Sequence, residues 1–214
     1  MAGRYFRADT INFSIIGHKV NKLCLFLANF QPKCRSCVTI FATYVDVRYN
    51  KELPAKVIPG SQMNLIGWMG EKLSAQFVIS TNRDLKNVSV VVSDILAKNY
   101  KISKWNTERG FVRYVMTDEL NKDGMGACGY RNKADFDSTL VADVIDHLSP
   151  TLDIKANSTQ PVWVSVKVPR ENIIKGMYRG TVTVKEDGKV IAELPLTVTV
   201  KNRVLPEPNC SILA

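Results

Sequence analysis

The feature that most constrains the fold is a strict two-residue alternation of apolar and mostly polar residues between positions 161 and 200. Three segments show this alternation, and valine or leucine dominates one face of each. The apolar faces are Val162, Val164, Val166 and Val168, then Tyr178, Gly180, Val182 and Val184, then Leu194, Leu196, Val198 and Val200. Successive side chains of a β-strand point to opposite faces, so this spacing predicts three strands that each bury one face.

The second and third of these strands are separated by Asp187-Gly188, a pair typical of the tight turn of a β-hairpin. Further alternating segments occur at 44–49, 73–79, 88–92 and 111–116. A chain with this many short alternating segments and no internal repeat is typical of two packed sheets. We therefore predict an all-β fold, an immunoglobulin-like β-sandwich that spans residues 44–204.

The rhythm of the strands breaks between residues 117 and 153, where acidic residues accumulate in an otherwise basic chain. This stretch holds eight of the twenty acidic residues, and three glycines lie within it. A connection of this length usually has a function or is disordered. We predict a long acidic loop inserted in the sandwich, with one short helix formed by Leu140, Val144, Ile145 and Leu148.

Residues 1–43 differ from the rest of the chain, and we predict an extension that is poorly ordered or loosely docked. The short apolar run from Leu23 to Ala28, which follows Lys19 and Lys22, leaves a second interpretation open, a degenerate secretory signal. The run is too short and begins too late for a convincing signal, so the sequence assigns no location to the chain. No segment approaches the ~20 apolar residues of a transmembrane helix, which predicts no membrane span.

The formal charge of +9 raises the possibility of a polyanionic partner, such as nucleic acid. The basic residues are scattered along the chain, which favours an ordinary basic surface and no nucleic-acid partner. Five cysteines make no disulfide framework, and Cys34 and Cys37 have the spacing of a redox or zinc motif without the surrounding elements that either requires. We predict no cofactor and no metal, although Asp135, Asp137 and Asp143 leave a calcium site as an alternative.

An ordered set of short motifs carries a family resemblance across residues 44 to 208. The motifs include Gly67-Trp68-Met69-Gly70-Glu71, Tyr114-Val115-Met116-Thr117-Asp118-Glu119, Cys128-Gly129-Tyr130-Arg131, Gly176-Met177-Tyr178-Arg179-Gly180 and Leu205-Pro206-Glu207-Pro208. Together they resemble the N-terminal domain of glycoside hydrolase family 123, the bacterial β-N-acetylgalactosaminidases. The Gly-x-Tyr-x-Gly motif by itself is weak evidence, whereas the ordered set is specific.

The resemblance implies that this sandwich precedes a catalytic (β/α)-barrel, on which the family's adjacent Asp and Glu assist the 2-acetamido group of the substrate. A barrel needs about 250 residues, and only residues 205–214 follow the sandwich here. We therefore expect residues 205–214 to be a truncated linker to an absent catalytic domain, in a truncated or frame-shifted reading frame. The resemblance also implies a periplasmic, cell-surface or secreted location for the parent family.

The adjacent pair Asp118 and Glu119 invites a catalytic interpretation, because glycosidases use paired carboxylates. A general acid needs an apolar, walled site, whereas this pair has the neighbours of a hydrated loop. We expect no catalytic residue in this chain. We instead predict contacts with the catalytic domain or with the rim of its cleft for six residues: Asp118, Glu119, Tyr130, Arg131, Asp137 and Trp163.

Two functions remain open on the sequence alone. The first is a non-catalytic domain that braces the barrel of a glycoside hydrolase. The alternative is a free-standing carbohydrate-binding or adhesion module, in which Trp68, Trp105 and Trp163 bind sugar rather than fill the core. An exposed apolar patch of roughly several hundred Å² along one edge of the sandwich would favour the first, and glycan binding by the chain alone would favour the second.

Overall fold

The computed structural model describes residues 38–51, 61–117 and 139–206, which form strands and one short 3₁₀ helix. The strands are β1 Val38–Thr43, β2 Met63–Met69, β3 Lys72–Thr81, β4 Leu85–Val92, β5 Ile95–Ala97, β6 Tyr100–Ile102, β7 Thr107–Thr117, β8 Thr139–Asp146, β9 Leu152–Ile154, β10 Ser158–Lys167, β11 Gly176–Glu186 and β12 Lys189–Val204; the 3₁₀ helix is Lys104–Asn106. Within these residues no helix has the length and apolar character needed to cross a bilayer.

The strands form two sheets, which confirms the all-β sandwich. The first sheet has the order β1-β3-β10-β7-β8, and its strands pair antiparallel. The second has the order β2-β12-β11-β4-β9, with β5 and β6 attached to β11. The pairing of β2 with β12 is parallel, and it places the end of β12 beside the end of β2.

The core lies between the two sheets and is built from the faces that the alternation predicts. Val162, Val164 and Val166 of β10 are fully buried, as are Val182 and Val184 of β11. The removal of such apolar side chains from water is the main favourable contribution to the free energy of folding. The turn between β11 and β12 also agrees with its prediction, because Asp187 and Gly188 both adopt positive φ, at 46° and 79°.

The strand predicted for residues 44–49 is wrong. The first strand is β1 at Val38–Thr43, before the boundary predicted at residue 44, and residues 44–49 form a turn and irregular chain. β1 has apolar side chains on both faces, since Ile40 packs on the main core while Phe41 packs on the opposite face of the sheet. Its sequence therefore lacks the alternation that marks a strand with one buried face.

The helix predicted for Leu140, Val144, Ile145 and Leu148 is also wrong. Residues 139–146 form β8, an edge strand paired with β7, and Leu140, Val144 and Leu148 are exposed. The spacing of three and four residues that suggested a helix does not correspond to a buried face. The predicted acidic loop of 117–153 thus contains β8 and the start of β9, and residues 118–138 of it lie outside the described residues.

Candidate functional site

Five of the six predicted contact residues, Asp118, Glu119, Tyr130, Arg131 and Asp137, lie outside the described residues. The sixth, Trp163, is half-buried on the outer face of the first sheet, opposite the buried valines of β10. It lies between Gln76 of β3 and Gly110 of β7, which are its register partners. Its indole Nε1 donates a hydrogen bond to Ser165 Oγ at 3.2 Å.

A depression of about 320 Å³ opens on this outer face beside Trp163. One side of it is formed by residues 45–48, which cross the face of the sheet after β1, and the lining residues are Val45, Asp46, Val47, Arg48, Gln76, Val112, Ala142, Asp143, Ile145 and Trp163. Gln76 Nε2 holds the crossing segment by donating to the carbonyls of Tyr44 at 3.0 Å and Val47 at 3.1 Å. The depression is therefore made by tertiary packing rather than by one element.

Two tyrosines anchor the ends of this crossing segment. Tyr49 forms a hydrogen bond with Thr43, and burial, followed by the charge of Asp46, raises the pKa of Tyr49 to about 12. Tyr114 donates from its hydroxyl to the carbonyl of Thr159 at 2.6 Å, and the same hydroxyl lies 3.3 Å from the carbonyl oxygen of Asn50, just after the crossing segment. Burial raises the pKa of Tyr114. Both phenols stay protonated at neutral pH, so they act as hydrogen-bonding anchors rather than as bases.

Charged groups at the rim of the depression come from the crossing segment and from a bulge in β8. The register with β7 pairs Arg113 with Val144 and Tyr114 with Ala142, which leaves Asp143 as the extra residue. The carboxylate of Asp143 lies 3.5 Å from Arg48 Nη2, and both side chains are about half exposed. An ion pair this exposed contributes little to stability.

Asp146, at the end of β8, accepts the most hydrogen bonds of the described carboxylates on β7 and β8. Its oxygens accept hydrogen bonds from Arg113 Nε at 2.8 Å and from the backbone amides of Leu148 and Ser149, each at 3.0 Å. Ser149, through its side chain and its amide, and then Arg113 hold the pKa of Asp146 well below its ordinary value. Asp146 is thus a fixed anion that orders the turn after β8.

Asp146→Asn is expected to reduce stability at pH 7 and to reduce it less at pH 3. A carboxyl group whose pKa is lower in the folded state stabilises the fold above its unfolded pKa of about 4, and this contribution is lost as the pH falls further. Urea denaturation of both proteins at the two pH values measures the difference. An equal loss at pH 3 and pH 7 would contradict an ionic role for Asp146.

Several of the described carboxyl groups have electrostatics opposite to those of a general acid, which needs a raised pKa. Six have pKa values that depart clearly from the ordinary range, and all six depart downward: Asp84, Asp94, Glu108, Asp146, Asp153 and Glu186. Salt bridges and amide hydrogen bonds are the cause. No group of three or more His, Cys, Asp or Glu side chains suited to a metal occurs in the described part of the chain.

A second depression, of about 380 Å³, lies where the chain leaves the sandwich after β12. Its lining residues are Ile66, Gly67, Trp68, Glu71, Lys201 and Leu205. The backbone amide of Trp68 donates to Glu71 Oε2 at 2.8 Å, and the guanidinium of Arg203 lies 5.3 Å from the centre of the Trp68 ring. The motif Gly67-Trp68-Met69-Gly70-Glu71 thus forms the wall of this exit.

Arg170 holds the departing chain against the end of the sandwich. Its guanidinium donates to the carbonyl of Leu205 and, at 3.3 Å, to the carbonyl of Pro206. The amide of Leu205 donates to the carbonyl of Met69 at 2.8 Å. Gly70 makes room for Arg170, since a Cβ at Gly70 would lie 2.9 Å from Arg170 Cγ. Sequence reasoning missed Arg170, because its partners lie 35 and 36 residues away along the chain.

Arg170→Ala is expected to loosen residues 204–206 while leaving the core intact. Hydrogen bonds to a charged group contribute about 1.5–3 kcal/mol, so we expect amide hydrogen exchange at Leu205 to accelerate about tenfold or more. Hydrogen exchange measured by NMR tests this expectation. Arg179→Ala, at an exposed arginine of β11, is the matched control. Equal exchange at Leu205 in both variants would show that Arg170 does not hold the exit.

A protein-family model described as "Glycoside hydrolase 123 N-terminal domain" matches residues 42–186, more than half of the chain. No sequence among the curated proteins matches. A solved family 123 glycoside hydrolase from Clostridium perfringens, studied for glycolipid glycan hydrolysis, is similar at a TM-score of 0.64 and 21% identity. The match covers 79% of this chain and 28% of that enzyme.

Two other solved structures show weaker similarity. AggA, the major subunit of aggregative adherence fimbriae type I from Escherichia coli, gives a TM-score of 0.32 at 10% identity, over 78% of this chain and 95% of AggA. AvmM, which catalyses a macrocyclisation in alchivemycin A biosynthesis, gives a TM-score of 0.39 at 6% identity, over 80% of this chain and 91% of AvmM. The family match and the all-β sandwich confirm the resemblance seen in the motifs, and the chain belongs to the family of glycoside hydrolase 123 N-terminal domains.

Proposed function

We propose that this chain is a non-catalytic N-terminal domain that braces the catalytic (β/α)-barrel of a family 123-like glycoside hydrolase. The observation that carries the proposal is the family match over residues 42–186. The fold supports it, because the chain is similar to one part of a family 123 enzyme and spans 28% of its length. The activity of the whole protein would then reside in the domain that follows the sandwich.

The electrostatics of the described residues support a non-catalytic role. Glycoside hydrolysis needs one carboxyl group that stays protonated near neutral pH, which requires a raised pKa. The described carboxyl groups whose pKa values are shifted are held in the anionic form by basic and amide partners, as Asp146 is by Ser149 and Arg113. Such groups stabilise the fold and cannot deliver a proton to a leaving group.

The substrate of the parent protein belongs to the same proposal. The similar Clostridium perfringens enzyme hydrolyses glycolipid glycans. The family resemblance adds a terminal β-linked N-acetylgalactosamine as the sugar released. We propose a glycan of this class as the substrate of the parent protein.

Two measurements on the 214-residue chain test the proposal. The first is hydrolysis of 4-nitrophenyl N-acetyl-β-galactosaminide, where we expect no release above the enzyme-free rate and use the Clostridium perfringens enzyme as the positive control. The second is binding to the catalytic barrel of that enzyme, expressed without its own sandwich domain and measured by calorimetry. Hydrolysis by this chain, or failure to bind a barrel that binds its own sandwich domain, would overturn the proposal.

Trp105 favours a second candidate, the carbohydrate-binding or adhesion module. Its side chain is 86% exposed on the 3₁₀ helix, so the core does not explain it. Two hydrogen bonds hold the turn: Asp94 Oδ1 accepts from the amide of Lys104 at 2.7 Å, and Thr107 Oγ1 donates to the carbonyl of Lys104 at 2.6 Å. A fixed, exposed indole is a suitable platform for a sugar ring. Glycan-array binding by the chain that is lost in Trp105→Ala would establish this function.

A further inference from the structure

The outer face of the second sheet carries exposed apolar side chains next to basic ones. Ile66 is 63% exposed, Leu96 is 55% exposed and Met177 is 49% exposed. Together with the half-buried Trp68 and three cations they form a surface that we call the exit face. The exit face consists of Ile66, Trp68, Leu96, Met177, Arg179, Lys201 and Arg203.

The register of four strands makes the exit face continuous. Ile66 of β2 is paired with Thr199 of β12, and Thr199 is paired with Met177 of β11. In the neighbouring row of the sheet, Arg179 of β11 is paired with Leu96 of β5. Side chains two residues apart on a strand share a face, so these rows lie side by side. Thr199 separates Ile66 from Met177, so the exposed apolar side chains are clustered on one face of the sheet with polar ones between them. Apolar side chains gathered in this way, rather than scattered over the surface, indicate an interaction surface.

Within the described part of the chain no salt bridge joins the cations of the exit face to a carboxylate, although Glu71 lines the same depression as Lys201. Arg179 and Lys201 have no salt-bridge partner among those residues, and Arg203 stacks on Trp68. Some basic side chains elsewhere on the sandwich are paired with a carboxylate, as Arg83 is with Glu186 at 2.6 Å. A partner that covers this face therefore needs an apolar centre with carboxylates around it.

The place where the chain leaves the sandwich adjoins this face. Leu205 lines the same depression as Ile66, Trp68 and Lys201. Arg170 and Met69 hold Leu205 there, so the segment after Pro206 starts at the edge of the exit face. A domain joined by a short segment at this point has a high effective concentration at the adjacent surface.

We infer that the exit face is the docking surface for the catalytic domain, which presents to it an apolar patch bordered by Asp and Glu. The inference rests on the proposed bracing function and adds to it the surface and the chemistry of the contact. Ile66, Met177 and Leu96 supply the apolar centre of the interface. Arg179 and Lys201 pair with the carboxylates of the partner and orient it.

The test compares variants of the 214-residue chain in binding to the Clostridium perfringens catalytic barrel expressed without its sandwich domain. We expect the double variant Ile66→Asp/Met177→Asp to weaken binding by at least about tenfold. Each new carboxylate would lose its hydration at the apolar centre of the interface and gain no partner there. Val144→Asp, on the exposed edge of the first sheet, is the matched control and is expected to bind as the unaltered chain does. Thermal unfolding of each variant verifies that it folds.

The outcomes separate this inference from the proposed function. If the unaltered chain does not bind a barrel that binds its own sandwich domain, the bracing function fails and the inference fails with it. If the unaltered chain and the Ile66→Asp/Met177→Asp variant bind equally well, only the inference fails. A selective loss in that variant supports both, and we expect Arg179→Glu/Lys201→Glu to weaken binding and to reduce its salt dependence.

Discussion

Phe77→Ala is expected to lower the free energy of unfolding by about 3–5 kcal/mol. Phe77 is fully buried at the centre of β3, and its register partners are Ala42 of β1 and Val162 of β10. It faces the second sheet, so its ring fills the space between the two sheets. Truncation removes the transfer free energy of the ring and leaves a cavity that neighbouring strands cannot close. The expected loss is a large fraction of the total stability of a typical domain.

Urea denaturation followed by circular dichroism measures this loss. Trp105→Ala is the matched control, since it removes a larger aromatic side chain from an exposed turn and is expected to change stability by less than about 0.5 kcal/mol. The loss of stability in Phe77→Leu is expected to lie between those of Phe77→Ala and Trp105→Ala, because part of the side-chain volume remains. A loss below about 1.5 kcal/mol for Phe77→Ala would mean that the two sheets are not packed through β3.

The strands that the sequence predicts correctly are those with one buried face. In β10, β11 and β12 each valine or leucine of the alternation faces the other sheet, so the alternation in the sequence matches the buried side chains directly. The turn at Asp187 and Gly188 is equally local, because positive φ at both residues is a property of the pair itself. Features of this kind need no knowledge of distant residues.

The elements that sequence reasoning misplaced are those whose burial depends on tertiary contacts. Val47 and Tyr49 alternate like a strand, yet they are covered because they pack with Phe41 and Val78 on the outer face of the first sheet. β1 pairs along the edge of that sheet with apolar groups on both faces, which hides its periodicity. The spacing of apolar residues indicates only that their side chains are covered. It determines neither which element covers them nor which conformation the backbone adopts.

The candidate sites were predictable in part. The position of Trp163 opposite the valine face follows from the alternation of β10, and the structure places it there. The depression beside it depends on the bulge at Asp143 and on the segment that crosses the sheet, which no local pattern reveals. The exit face is assembled from four strands that are distant in sequence, so the proximity of Ile66 and Met177 becomes visible only with the register.

Tyr178→Phe is expected to cost about 1–2 kcal/mol and to loosen the connection that carries Arg170. The side chain of Tyr178 is fully buried, and its hydroxyl donates to the carbonyl of Ile174 at 2.8 Å and accepts from the amide of Ile174 at 3.1 Å. Hydrogen bonds from a buried tyrosine back to the chain a few residues upstream are a known device of immunoglobulin-like sandwiches. Phenylalanine keeps the packing of the ring and removes both bonds.

The expected consequence extends from the core to the exit of the chain, because Ile174 and Arg170 lie on the same connection between β10 and β11. Hydrogen exchange should therefore accelerate at residues 170–175 and at Leu205 in Tyr178→Phe, with a smaller change in β3. Tyr100→Phe, at an exposed tyrosine of β6, provides the control for removal of a hydroxyl group. If Leu205 stays as protected as in the unaltered protein while residues 170–175 exchange faster, then Arg170 holds the exit independently of Tyr178. Faster exchange at both places would show that the buried hydroxyl group of Tyr178 determines how firmly the chain is held beside its docking surface.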